Sequence, residues 1–250
     1  NSGFMPVVDR FPYLGDVIAH DGSDEAAVDA RIESGCKAFG ALRSCIFTST
    51  AILATAKKAV YEAVVLSIGL YGCETWSLTE ELNHRLRCMH AQHLRAMCRV
   101  TRMHAWEHRI STQELGQRMG LQSIDLYVAR RQLRWLGHVR RMDYETRLPR
   151  RMLSSWVPQR RPAGAPTMTY GRSIFKALEK FTVDTALWHE LAEDRAVWRE
   201  TLRTGLAPPA YRPQVRPASP RIARTKPARA CTQSTIAAID ASLREERRSL

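Results

Sequence analysis

The sequence has none of the motifs that usually mark an enzyme active site. Its 250 residues contain no adjacent pair of aspartates, no Walker-type phosphate loop, no Gly-x-Ser-x-Gly turn and no Gly-x-Gly-x-x-Gly turn. Those motifs bind phosphates and dinucleotides or present a nucleophile, and nucleotidyl transfer by two metal ions needs convergent carboxylates. We therefore predict that this chain has no catalytic residue.

Cysteine is scarce and irregularly spaced. The six cysteines form no Cys-x-x-Cys pair, a pattern that favours an intracellular, reduced protein without a disulfide framework. His84 and Cys88 lie one helical turn apart, but Cys98 lies roughly 15 Å further along a helix and no other ligand completes a zinc site. We predict no bound metal. His93 falls in an apolar stripe and is interpreted as a hydrogen-bonded core histidine.

Long apolar runs are also missing, because no stretch reaches the roughly 18 residues that span a membrane. Positive charge is in excess, with a net charge of +13. Residues 130–161 contain ten arginines and two carboxylates, and residues 207–250 contain nine basic and three acidic residues. Two separate basic blocks are typical of nucleic-acid-binding proteins. A solvated basic surface with a disordered tail would have the same composition.

Hydrophobic periodicity predicts a mainly α-helical chain of one or more helical bundles, with a short N-terminal β-hairpin element. We divide it into a β element at 1–23, two helices at 24–78, a basic helical domain at 79–206 and a Pro/Arg-rich tail at 207–250. Six prolines between 208 and 227 predict that the tail is disordered, with a short helix at its end. Several side chains are expected in the core. They are Ala56, Val60, Val64, Leu187, Val197 and Trp198.

The segment RRQLRWLGHVRRM at 130–142 has two faces when it is drawn as a helix. Trp135, Val139 and the preceding Ile124, Val128 lie on one apolar stripe, which predicts that they are buried. The basic side chains of the other face are suited to hold a polyanion. They are Arg130, Arg131, Arg134 and Arg141. The arginines continue at Arg147, Arg150 and Arg151, and Trp156 is our candidate for stacking on a base.

Five motifs together resemble the C-terminal part of a non-LTR (LINE-type) retrotransposon reverse transcriptase. They occur in the order of that family, between about residues 7 and 203. The motifs are FPYLGDVIAHDG at 11–22, LYGCETWSL at 70–78, RRQLRWLGHVRRM at 130–142, RLPRRML at 147–153 and LAEDRAVWRETL at 191–202.

The resemblance implies a role for each region. Tyr13, Leu14 and Gly15 would correspond to the primer grip, which contacts the primer 3′ end. The helices within 24–78 would correspond to the polymerase thumb, with Lys57 and Lys58 contacting phosphates. The catalytic palm and fingers would lie upstream, together with the Mg²⁺ that the parent polymerase is expected to use.

We therefore predict a fragment of an RNA-directed DNA polymerase that binds RNA, an RNA–DNA hybrid or DNA through the backbone. It would hold no cofactor itself, would be inactive alone and would be intracellular and nuclear. The alternative is a non-enzymatic, helical, basic nucleic-acid-binding protein. A third interpretation is a structural scaffold whose charge only solvates its surface.

Overall fold

The structure, a computed structural model, describes residues 8–154 and 168–205. It confirms the predicted class, because this part of the chain is mainly helical and begins with an antiparallel hairpin. The hairpin strands are β1 (Arg10–Tyr13) and β2 (Asp16–Ala19). Trp156 and the predicted disordered tail at 207–250 lie outside the described residues. None of the helices within the described ranges is both long enough and apolar enough to cross a membrane.

Eleven α-helices and two π-helical segments follow the hairpin in the described ranges. The α-helices are α1 (Glu25–Leu42), α2 (Ala54–Val60), α3 (Leu66–Gly69), α4 (Glu80–Met97), α5 (Arg102–Glu107), α6 (Thr112–Met119), α7 (Ile124–Arg140), α8 (Leu148–Ser154), α9 (Tyr170–Lys180), α10 (Trp188–Leu191) and α11 (Arg195–Thr204). The π-helical segments are Arg43–Phe47, after α1, and Tyr61–Val65, between α2 and α3.

The hairpin turn is formed by Leu14 and Gly15, whose φ angles are 46° and 84°. Two successive positive φ values are typical of a type I′ turn, whose twist matches that of the strands. Leucine rarely adopts this conformation. Here the Tyr71 hydroxyl donates a hydrogen bond to the Leu14 carbonyl at 3.3 Å, and the Arg31 guanidinium lies over the Tyr71 ring at 4.6 Å. The LYG motif therefore supports the tip of the FPYLG hairpin.

A first hydrophobic core is built by α1 to α4 and α6, together with the first turns of α7. The Phe39 ring stacks on Phe47 at a centroid distance of 4.5 Å and on His93 at 4.1 Å. Helices α1 and α3 approach closely, because a Cβ on Gly35 would lie 3.2 Å from the Cα of Gly69. Two glycines thus allow these two helix backbones to touch.

The predicted inner face of the helix at 50–70 is confirmed at Val60, which packs against the first core, but it is wrong by one residue at Ala56 and Val64. Ala56 and Val64 are exposed, whereas Lys57, Tyr61 and Val65 are buried. Tyr61 determines this register, because its large ring fills the core and its hydroxyl finds partners there. Lys57 is one turn earlier on the same face, so its side chain packs inward rather than toward solvent.

A second hydrophobic core lies between α7, α9 and α11. Leu133 and Leu136 of α7 pack there with Phe181 and with Trp198, whose burial confirms its predicted position. Three other expectations for this region are wrong. Trp135 is only half-buried, and Leu187 and Val197 are exposed, at 48% and 45%. The leucines of α7 fill the space that had been expected for Trp135.

A buried polar network joins Tyr61 to two histidines. The Tyr61 Oη lies 2.9 Å from His90 Nδ1 and 3.2 Å from His93 Nδ1, which confirms His93 as a hydrogen-bonded core residue. His90 Nε2 must donate to the Gln122 carbonyl at 3.0 Å, so its Nδ1 accepts from Tyr61. His93 Nδ1–H then donates to the Tyr61 oxygen. Burial lowers the pKa of both histidines to about 4, and the neighbouring His90 contributes to the lowering at His93.

Candidate nucleic-acid interface

Helix α7 carries the predicted basic face. Ser123 occupies its N-cap position. The negative charge of Asp125 in the first turn interacts favourably with the positive end of the helix dipole. The Asp125 carboxylate also pairs with Arg87 at 2.7 Å, and these contacts hold its pKa below the usual range despite its partial burial. The start of α7 is thereby attached to α4, and its far end carries the arginines.

Two polar residues of α7 join it to the segment at 70–78. Arg131 donates from Nη1 to the Leu70 carbonyl at 3.0 Å and from Nη2 to the Leu66 carbonyl at 3.3 Å. Each of these carbonyls also accepts a backbone N–H, from Leu70 and from Cys73, so the guanidinium adds a second hydrogen bond to both at the end of α3. Gln132 Nε2 donates to the Trp76 carbonyl at 2.9 Å. Arg131, predicted to bind nucleic acid, is thus half-buried and hydrogen-bonded within the fold.

Gly137 receives the indole of Trp198 from α11. The Trp198 Nε1–H donates to the Leu133 carbonyl at 2.9 Å across the top of α7. A Cβ on Gly137 would lie 3.0 Å from the indole Cε2 and closer still to Nε1 and Cδ1. The glycine of the WLGH segment is therefore the gap into which the tryptophan of the motif at 191–202 fits.

The remaining α7 arginines differ in their partners. Arg130 is half-buried and donates to Gln122 Oε1 at 3.2 Å, and Arg140 pairs with Glu193. Arg141 is exposed, although its Nη1 donates to the Ala192 carbonyl at 2.6 Å. Arg134 is exposed and has no carboxylate partner within residues 8–154 and 168–205. Positions 134 and 141 share a helix face about 10 Å apart.

Helix α11 adds two arginines to this face. Arg195 and Arg199 are exposed, lie one turn apart and approach Arg141, whose pKa is lowered by partial burial and by these two positive charges. Asp194 is close by, but its carboxylate accepts the backbone N–H groups of Ala196 and Val197 as an N-cap. We call Arg134, Arg141, Arg195 and Arg199 the basic surface. None of the four is in an ion pair with a carboxylate of the described ranges.

A cleft of about 270 Å³ opens between α7, α8 and α10. Arg140, Arg150, Leu153, Trp188 and His189 line it. Trp188 is half-buried, so part of its ring is accessible from the cleft. Such a combination of aromatic and cationic side chains suits a base and its phosphate.

The other predicted binding residues are dispersed. Arg147 and Arg151 are exposed around the start of α8, and Arg150 lies over the Tyr144 ring at 5.9 Å. Lys57 is buried at 7% exposure, and half-buried Lys58 packs beside Gly120. The predicted primer-grip residues form the hairpin tip, which packs on Tyr71 and Arg31. They are Tyr13, Leu14 and Gly15.

Sequence analysis missed Arg195, Arg199 and His189. A signal for the first two was present, because a four-residue spacing puts both arginines on one helix face. Trp198 is buried, and Arg195 and Arg199 lie roughly 60° and 100° from it around the same helix, beside its buried face.

Comparison with known proteins gives one informative match. The chain is 25% identical over 205 residues to an uncharacterized transposon-derived protein of Caenorhabditis elegans, covering 78% of this chain and 71% of that protein. This similarity indicates a transposon-related origin. No protein family matches the chain in a search of family descriptions, and no solved structure matches it.

Proposed function

We propose that this chain is the C-terminal part of a transposon-encoded reverse transcriptase and that it binds the backbone of RNA, an RNA–DNA hybrid or DNA. The similarity to a transposon-derived protein supports the element-related part of the proposal. The five motifs support the polymerase part, since three of them, at 70–78, 130–142 and 191–202, meet at α7 through contacts of Arg131, Gln132, Arg141 and Trp198. A nuclear site of action belongs to the same proposal.

The basic surface is the observation that supports the proposed nucleic-acid binding. Arginines elsewhere in the fold are often neutralised, as Arg85 is by Glu25, Asp29 and Glu81. Arg141, Arg195 and Arg199 instead lie close enough for their charges to oppose one another. A polyanion would relieve this repulsion, and guanidinium groups bind phosphates with two parallel hydrogen bonds. Backbone contacts of this kind carry no sequence information.

The chemistry of polymerisation is assigned to an upstream palm. Among residues 8–154 and 168–205 no three carboxylates converge, so the residues present do not fit a pair of Mg²⁺ ions. In this proposal the hairpin tip at Tyr13, Leu14 and Gly15 meets the primer terminus, and the helices α1 to α3 act as the thumb. The non-enzymatic alternative shares the basic surface but has no upstream palm.

The salt dependence of binding tests the basic surface. We expect Arg134→Gln, Arg195→Gln and Arg199→Gln, combined in one variant, to reduce the slope of log K against log salt by roughly 2 to 3, at about 0.9 per contact on duplex DNA and 0.7 on a single strand. Arg141 is left in place because it also holds the Ala192 carbonyl. The measurement is fluorescence anisotropy of labelled duplex DNA, RNA–DNA hybrid and single-stranded RNA between 50 and 200 mM salt.

A second triple variant controls for net charge alone. Arg102→Gln, Arg109→Gln and Arg118→Gln remove three exposed positive charges from α5, the residue after its C-cap and α6, outside both the basic surface and the proposed thumb. We expect a much smaller change in slope from this control. Equal slopes in the two variants and the parent chain, with circular dichroism unchanged, would show that the basic surface does not contact phosphates.

A further inference from the structure

Helix α5 carries three metal-ligating side chains on one face. His104, Glu107 and His108 occupy positions i, i+3 and i+4, which bring their side chains together on a helix. One ligand atom from each lies within 4.8 Å of the other two. The two imidazole rings are 4.2 Å apart between centroids. This His-x-x-Glu-His spacing is separate from the His84 and Cys88 pair on α4.

We propose that His104, Glu107 and His108 form a binding site for Zn²⁺ or a similar first-row transition-metal dication. Two imidazole nitrogens and a carboxylate oxygen form a donor set that zinc accepts, and tetrahedral zinc holds neighbouring donor atoms about 3.4 Å apart. The ligand atoms lie within 4.8 Å of one another, so each pair would have to approach by about 1.4 Å or less to reach that spacing. Three protein ligands leave a fourth position for water or an anionic oxygen. The proposal is independent of nucleic-acid binding.

The surroundings leave these ligands available. All three side chains are exposed, and none is in an ion pair with another side chain of the described ranges. Arg102 and Arg109 flank the site and oppose a cation, whereas the Glu107 carboxylate offsets part of that charge. A hard cation that prefers oxygen ligands, such as Mg²⁺, is poorly matched to two imidazoles.

The site would also stabilise the helix that carries it. Helix α5 has six residues and no buried side chain, so little tertiary packing supports it. The Thr101 side chain accepts the His104 N–H at its N-terminus, and His108 occupies its C-cap position. A metal ion bound across positions 104 and 108 would span the whole turn. We expect slower amide hydrogen exchange at 102–108 with Zn²⁺ than without it.

Isothermal titration of Zn²⁺ into the full chain tests the site. The background carries Cys45→Ser, Cys88→Ser and Cys231→Ser, because the first two thiols are exposed and the third lies outside the described residues. We expect one strong site, with Zn²⁺ affinity lowered more than about tenfold by His104→Gln or His108→Gln, since loss of even an outer-shell partner costs 10–100-fold. Mg²⁺ should give no such site.

The matched controls are His84→Gln and His138→Gln, which remove exposed imidazoles elsewhere on helices α4 and α7. We expect Zn²⁺ affinity to be unchanged in both. The four substituted histidines are exposed, so thermal unfolding should stay within a few degrees of the background. Absence of a strong site, or equal affinity in the background and in His104→Gln, would overturn the proposal.

Discussion

Replacing Gly137 with alanine is expected to destabilise the protein by about 3 kcal/mol, even though alanine favours a helix by about 1 kcal/mol. The added Cβ would overlap the Trp198 indole, which lies directly against the α7 backbone. The indole must then move, and its Nε1–H loses the Leu133 carbonyl. Urea unfolding followed by circular dichroism measures the change in free energy.

Two further variants isolate the cause. Gly40→Ala is the matched control, because Gly40 is also helical but a Cβ there would meet nothing within 4 Å. It should stabilise the chain by about 0.5–1 kcal/mol. In a Trp198→Leu background, adding Gly137→Ala should lower the free energy of unfolding by less than about 1 kcal/mol, since the overlapping ring is gone. A Gly137→Ala variant as stable as Gly40→Ala would contradict the packing described for α7 and α11.

Acidification is expected to weaken the fold well above the range in which carboxylates titrate. Burial lowers the pKa of His90 and His93 to about 4 in the folded chain, whereas an unfolded histidine has a pKa of about 6.5. Between these values the unfolded state binds more protons, so stability decreases as pH falls through 6.5 and levels off below about 4. At about 1.4 kcal/mol per pKa unit, the loss should total up to roughly 7 kcal/mol for the two histidines.

The cause is geometric as well as electrostatic. A proton on His90 Nδ1 would remove the acceptor that the Tyr61 hydroxyl uses. Urea unfolding at pH 7, 6, 5 and 4.5 follows the loss. The variant His90→Gln, His93→Phe should be less stable at pH 7, yet its stability should change much less with pH. The control His20→Gln, at an exposed position, should keep the parental pH dependence. A parental slope in the double variant would show that other groups cause the acid sensitivity.

Much of the fold was predictable from local pattern. The hairpin, the helical class and the burial of His93 and Trp198 follow from periodicity and turn residues. The register of α2 did not follow, because Lys57, Tyr61 and Val65 make as plausible a stripe as the aliphatic residues one position earlier. Only the hydroxyl's partners on α4 decide between the two faces.

The candidate site was less predictable than the fold. Arg131 and Arg134 look alike in the sequence, but one donates to carbonyls more than 60 residues away and the other faces solvent. Sequence spacing cannot show which guanidinium will meet a helix end that is distant along the chain. The approach of Arg195 and Arg199 to Arg141 likewise depends on how α11 packs on α7. The basic surface therefore combines two motifs that the sequence keeps far apart.

Helix α7 belongs to both hydrophobic cores, and this has a consequence for cooperativity. Ile124 and Val128 pack in the first core, and Leu133 and Leu136 pack in the second. Separating α9 and α11 from α7 would expose these leucines to water. It would also break the contact of Trp198 with the α7 backbone. The two cores should therefore open as one cooperative unit in hydrogen exchange. The amides of the first and second halves of α7 should have similar protection. A ligand that binds at the C-terminal end of α7 would stabilise the whole helix. Local opening near His90 and His93, in the first core, should then become slower.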